Sequence, residues 1–258
     1  MTRSALVTGA SKGIGAAIVE VLGPAGANVI GHYGGDRAGA EAAMAAIPDD
    51  RKLLVQADLS DMAADGIGVL DHLGIDRAHI MGVSMGGMIV QAMAIDHPDR
   101  IASAISIMST TGERDYGEPT AESLAVLLAD PPADRQAYID GAADYAVWAS
   151  KAHFDLERAR RFAAAAYDRA FYPEGSTRQM AAILTSGDRA EGLADLRVPM
   201  LVIHGTDDTL ITPSGGERTA EITPGAELLM LDDMGHDLPV PLWPVIVDAV
   251  IAHSDRNP

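Results

Sequence analysis

The stretch His79-Ile80-Met81-Gly82-Val83-Ser84-Met85-Gly86-Gly87 sets a short apolar run against a turn of small residues, and a second apolar segment, Met88 to Ile95, follows it. A bounded run of this kind reads as a strand, and the longer segment after it reads as a helix. The pattern G-x-S-x-G at a strand-to-helix junction puts Ser84 on a tight, strained turn whose small neighbours let the backbone pass close to itself. Its hydroxyl then projects above the carboxyl edge of a sheet. Five residues alone are a weak signal, because small residues are common in turns. The flanking strand and helix give the pattern its weight.

Similar runs recur along the chain. Strands are predicted over residues 4–7, 28–32, 53–56, 79–83, 102–108, 200–204 and 227–231, with helices after each of the first five. Strands alternating with amphipathic stretches are the mark of βα units. The fold class expected is α/β: a single doubly wound, mainly parallel sheet with helices on both faces. Over residues 119–196 the strand-like runs disappear, and Ala, Leu, Arg and Asp recur at helical spacing across 122–128, 135–147, 155–167 and 177–184. That segment is a helical insertion between two strands. Residues 256–258 read as a frayed tail.

A serine nucleophile needs a base and a group to orient that base. Downstream, the strand at 200–204 runs into Gly205-Thr206-Asp207-Asp208, and the strand at 227–231 is followed by Gly235-His236. Both lie at the carboxyl ends of strands, where the loops of a parallel sheet converge. Ser84 is therefore read as nucleophile and His236 as general base, with the orienting acid at Asp208 or Asp207. No histidine has a metal-ligand spacing such as H-E-x-x-H, so no metal site is expected.

The composition removes other classes. With no Cys in the chain, a disulfide scaffold, thiolate metal sites and a Cys nucleophile are excluded. The 19 Lys and Arg against 37 Asp and Glu give a net charge of −18, which repels phosphate backbones and anionic lipid. Nucleic-acid and membrane partners are thus not expected. There is no apolar run of the ~18 residues that suggest a membrane span. Met1-Thr2-Arg3 leads directly into a strand rather than a signal peptide, so the expectation is a soluble, cytoplasmic protein.

At the start of the chain, Ala5-Leu6-Val7 runs into Thr8-Gly9-Ala10-Ser11-Lys12-Gly13-Ile14-Gly15 and then an apolar helix. Glycines between strand and helix bring backbone N–H groups to a helix N-terminus, where they can hold a phosphate. This loop resembles the nucleotide-binding start of the short-chain dehydrogenases, and the likeness covers residues 3–61. It implies cofactor contacts at Gly9, Gly13, Gly15 and Asp58, with Lys12 and Arg37 where that family often places cations for an NADP 2′-phosphate. The family's Tyr-x-x-x-Lys pair is missing: Val147 stands four positions before Lys151. Its Asn-Ala-Gly turn is missing too, since the only Asn residues are Asn28 and Asn257. No cofactor is therefore expected.

Residues 62–254 resemble the α/β-hydrolases, most of all the esterase group that includes aclacinomycin methylesterase. The likeness rests on Gly82 to Gly87, on Ile107-Met108-Ser109-Thr110-Thr111-Gly112 and on Met234-Gly235-His236-Asp237-Leu238-Pro239. It implies hydrolysis of a small-molecule ester through an acyl-enzyme, Asp208 rather than Asp207 as the orienting acid by the family's usual H-G-x-x-D spacing, an oxyanion donor at the Met85 N–H, and a cap formed by the insertion. Trp148, Phe154, Phe171 and Tyr172 of that cap either line a pocket or pack its core. A complete hydrolase carries an N-terminal half with an oxyanion loop, and here the dehydrogenase-like segment stands in its place. The expectation is thus a chimera joined near residues 60–63. Residues 1–61 would complete the sheet, 62–118 and 197–258 would form the hydrolase core, and 119–196 the cap. In that arrangement Ala10 and Ser11 would join Met85 in the oxyanion hole. Two rival readings are an NADP-binding protein without its catalytic Tyr and Lys, and a catalytically inert chimera.

Overall fold

The computed structural model describes residues 4–7, 19, 21, 28–33, 37–56, 58–129, 132 and 134–258. Contacts divide the chain into two compact units, Met1–Met62 with Pro173–Gly187, and Ala63–Tyr172 with Asp188–Pro258.

In the first unit, strands β1 (Ser4–Val7), β2 (Asn28–Tyr33) and β3 (Lys52–Gln56) form a parallel three-stranded sheet in the order β1-β2-β3. Helix Arg37–Ala43 lies between β2 and β3 in the chain, as a parallel pair requires a crossover. Among the described residues, Val19, Val29, Met44 and Ile47 form one buried apolar cluster of this unit. Asp58 opens helix Leu59–Leu73: its carboxylate accepts the Asp61 N–H at 2.7 Å. An Asp at this position offsets one of the helix's unpaired opening amides. The residue that the dehydrogenase likeness places near an adenine is thus a helix cap. Leu59 N–H donates to Ser186 Oγ at 2.9 Å, which fastens the residues after helix Pro173–Thr185 to the same helix start.

The second unit holds β4 (Ala78–Val83), β5 (Ile101–Ile107), β6 (Met200–Gly205) and β7 (Glu227–Leu231), parallel and in the order β4-β5-β6-β7. Every residue of β5 and β6 is buried. That suits their continuous apolar runs, since an inner parallel strand is covered on both faces. Ile105, Ile107, Leu201, Ile203 and Leu231 from the strands pack with Met108, Met234 and Ile246 in one core. Helix Met85–Asp96 crosses from β4 to β5, and helix Ser214–Ile222 from β6 to β7.

The parallel α/β class and all seven expected strands are present, with boundaries differing by a residue. Four expectations change. The described strand ladders form two sheets rather than one, because a strand joins a sheet only through its ladder bonds, and those of β1 run to β2 while those of β4 run to β5. The helix expected over 135–147 divides into Arg135–Asp140 and a 3-10 stretch, Gly141–Val147. Gly141 falls at the break, where a residue of low helix propensity favours the change to a tighter winding. The chain end is held rather than frayed: Arg256 donates to both carboxylate oxygens of Glu227, at 2.7 and 2.6 Å, and Asn257 Nδ2 donates to His253 O. The helical insertion also divides, since its helix Pro173–Thr185 groups with the first unit and the rest with the second.

Candidate active site

Ser84 has φ 56° and ψ −120°, a backbone conformation that an L-residue adopts only where its surroundings enforce it. Here the enforcement is local. Ser84 N–H donates to Ile107 O at 2.9 Å at the end of β5, and Ser84 O accepts from the N–H of Gly87 at 2.9 Å and of Met88 at 3.3 Å. A Cβ on Gly82 would stand 2.0 Å from Gly86 O, so the strand can fold back on the helix start only without a side chain there. Gly87 is crowded in the same way by Ser109, whose Cβ would be 2.6 Å from an added Cβ. Met85 is the first residue of the helix, among the amides that a helix start leaves without an intrahelical acceptor.

Asp208 is buried, and both of its oxygens are engaged. Oδ1 accepts the N–H of Leu210 and of Ile211, each at 2.9 Å, and Oδ2 accepts His236 Nδ1–H at 2.7 Å. His236 Nε2 lies 2.8 Å from Ser84 Oγ. An ionised carboxylate only accepts, so Nδ1 carries the imidazole proton and Nε2 is left to accept the serine O–H. Ser84, Asp208 and His236 are thereby brought into one hydrogen-bonded chain. Asp207 faces elsewhere, accepting the Lys151 N–H at 3.1 Å with Lys151 Nζ 3.4 Å away.

The loops that carry these groups are tied together. Asp207 N–H donates to Met234 O at 2.9 Å, and His236 N–H donates to Trp148 O at 2.6 Å. Gly205 permits the first approach and Gly235 the second: an added Cβ would sit 2.1 Å from Met234 O or 2.3 Å from Trp148 O. Asp237 accepts the Ser150 N–H at 2.9 Å, and burial pushes its carboxyl above the usual range.

One neighbour escaped the sequence reading, which saw it only as part of a strand end. His204 is fully buried beside the acid, its Nε2 3.6 Å from Asp208 Oδ2 and 2.8 Å from Ile211 O, to which it donates. Burial lowers its pKa, so the ring stays neutral. A neutral ring beside Asp208 leaves the acid's charge to His236.

Ser84 and His236 open onto a cleft of about 780 Å³, with Val83 and Met108 beside them and Tyr145, Trp148, Phe154, Phe162 and Trp243 around it. Of the aromatics named from the sequence, Trp148 and Phe154 line the cleft. Phe171 instead stacks on Tyr167 with ring centroids 4.5 Å apart and meets Tyr138 edge-on at 5.7 Å, packing the insertion. Tyr172 is not among the described lining residues. Phe162, Trp243 and Arg158 join the lining with no motif to announce them.

Gly9, Ala10, Ser11, Lys12, Gly13 and Gly15 lie outside the described residues. Arg37 is the first residue of helix Arg37–Ala43. Among the described residues, no cluster of His, Cys, Asp or Glu is placed to hold a metal ion, and no helix is long and apolar enough to cross a membrane.

A strained serine between a parallel strand and its helix, met by a histidine and an acid from later strand ends, defines a class of site. The chain accordingly matches the alpha/beta hydrolase fold over residues 26–240 and belongs to that family. It is 25% identical over 218 residues to rhodomycin D methylesterase of Streptomyces peucetius, covering 75% of this chain and 72% of the relative. Among solved structures, a meta-cleavage product hydrolase from Pseudomonas fluorescens superposes with a TM-score of 0.62 at 19% identity, covering 81% of this chain and 74% of the other. An esterase from Exiguobacterium antarcticum gives a TM-score of 0.60 at 20% identity, over 77% and 74%.

The family match runs across residues 60–63, where the sequence reading set a junction between two ancestries. Nothing in the comparisons sets a dehydrogenase-like segment apart. A strand, a turn and a helix look alike in both families because both meet the same backbone demands, so the local pattern does not report ancestry.

Proposed function

We propose that this protein is a serine carboxylic ester hydrolase working through an acyl-enzyme. The observation that carries the proposal is the chain Asp208 to His236 to Ser84, with links of 2.7 and 2.8 Å. His236 Nε2 takes the proton as Ser84 Oγ attacks the ester carbonyl. The Met85 N–H, at the start of its helix, stabilises the oxyanion as it forms. His236 then gives its proton to the departing alcohol, and a water molecule, deprotonated by the same nitrogen, releases the acid. Asp208 stays ionised throughout, holding the imidazole and stabilising its charged form. The apolar lining suits short or medium acyl chains, and the insertion residues that meet the cleft serve as its cap. The similarity to a methylesterase supports the choice of an ester over other acyl substrates.

The test is turnover of p-nitrophenyl butyrate together with labelling by a fluorophosphonate. Turnover that disappears in Ser84→Ala, and a phosphonyl adduct on the Ser84 peptide alone, are expected. An adduct on any other residue, or a Ser84→Ala protein with undiminished rate, overturns the assignment.

A further inference from the structure

We infer that Arg158 sets the specificity of the cleft, and that the preferred esters carry a carboxylate remote from the scissile bond. This rests on the ester reading above and names the substrate class within it.

Arg158 is the one Lys or Arg among the described residues that line the cleft. It stands three residues after Asp155, which caps helix Leu156–Ala170 by accepting the Arg158 N–H at 2.9 Å. That is the first turn of a helix, where the positive end of the backbone dipole disfavours a cation. Two other arginines at this helix are matched by acids, Arg160 by Glu157 at 3.0 Å and Arg135 by Asp168 at 2.7 Å, whereas Arg161 and Arg169 are not among the described lining residues of the cleft. No described carboxylate lies within ion-pair distance of Arg158, and its side chain makes no hydrogen bond among the described residues.

Two acids do share the cleft with it. The Asp155 carboxylate caps the helix and the Asp237 carboxylate accepts the Ser150 N–H, so each has a backbone partner and neither pairs with the guanidinium. What holds Arg158 is aromatic. Its guanidinium carbon lies 4.9 Å from the centroid of the Phe162 ring and 5.0 Å from that of the Trp243 ring. Contact with ring faces fixes the head group while leaving its in-plane N–H donors open, and that fork matches a carboxylate's two oxygens. An apolar cleft with a serine at one place and a fixed, unmatched guanidinium at another fits a molecule with an apolar body, an ester and a separate anionic end.

Both Trp residues of the chain, Trp148 and Trp243, line the cleft, so tryptophan fluorescence reports its occupancy directly. In the Ser84→Ala protein, 4-phenylbutyrate is expected to bind roughly tenfold or more tighter than the isosteric amide, the typical worth of a charge-assisted hydrogen bond. Arg158→Gln should erase that difference, and Arg158→Lys should restore part of it. Equal binding of acid and amide, or a preference that survives Arg158→Gln, overturns the inference. The acid-to-amide ratio is read without any turnover, so it stands or falls apart from the ester chemistry. The acid and amide comparison with Arg158 in place needs no side-chain change at that position, so a poorly folded Arg158 variant would not protect the idea. A second readout uses turnover. The ratio of kcat/KM for mono-p-nitrophenyl glutarate to that for p-nitrophenyl butyrate should fall at least tenfold in Arg158→Gln. A purely structural cation-ring contact would instead lower both rates together and leave the ratio unchanged.

Discussion

The two ends of the cleft are held in different ways. At the Ser84 end, Asp208 is fixed by two backbone amides and His236, and His236 by its own backbone bond to Trp148 O. Glycines at 82, 205 and 235 let backbone meet backbone at distances that no side chain would allow. At the Arg158 end, two ring contacts position the guanidinium, and Phe162 is 62% exposed. Chemistry needs reacting atoms held to a fraction of an ångström, whereas recognition tolerates more movement. Substitutions at the first end should therefore act on kcat, and those at the second on KM.

The sharpest break of this contrast is Ser84→Ala, expected to lower kcat by roughly 10⁶-fold with KM little changed, in a chromogenic ester assay. Next comes the pair of neighbouring acids. Asp208→Asn should cost about 10⁴-fold in kcat by losing the tautomer that presents Nε2 to the serine, while Asp207→Asn stays within about threefold. Comparable losses in the two variants would show that the geometry does not distinguish them. Gly82→Ala forces a methyl group against Gly86 O, so the turn must open. A loss of about 100-fold in kcat is expected, with a lowered melting temperature by calorimetry. At the other end, Phe162→Ala should raise KM several-fold with kcat nearly unchanged, since it removes binding common to substrate and transition state.

The smallest effect is expected away from both ends. Glu113 accepts two hydrogen bonds from Arg218, at 3.0 Å each, which hold its carboxyl below the ordinary value of 4.5. A lowered folded-state pKa adds stability above the unfolded value, and that stability is lost as pH falls through the folded one. Glu113→Gln should thus cost about 1 kcal/mol at neutral pH. The gap from the native protein should close as the pH falls below 4.5. Urea unfolding at the two pH values checks it.

Strand positions could be read from the sequence because runs such as Met200 to His204 are local and continuous, and inner strands bury every residue. The turn at Ser84 was readable for a related reason: its small residues answer a steric demand made within a few positions. Phe171 shows where such reading fails. An aromatic in a helical insertion looks the same whether it lines a cleft or packs on Tyr167, because hydrophobicity does not say which neighbour a ring will meet. The dehydrogenase likeness of residues 3–61 finds no support in the family match, and a glycine-rich turn by itself states a local geometry and not a descent.

The sequence by itself determined the parallel α/β class, the strained serine turn and the chain order in which serine, acid and histidine appear, all of which depend on near neighbours. Only the tertiary structure decided which acid meets His236, that His204 stands buried beside it, and that Arg158 faces Trp243 across 85 positions of chain. Those contacts join residues distant in the chain, and long-range packing, unlike a turn or a strand, leaves no periodic trace in the residues that take part.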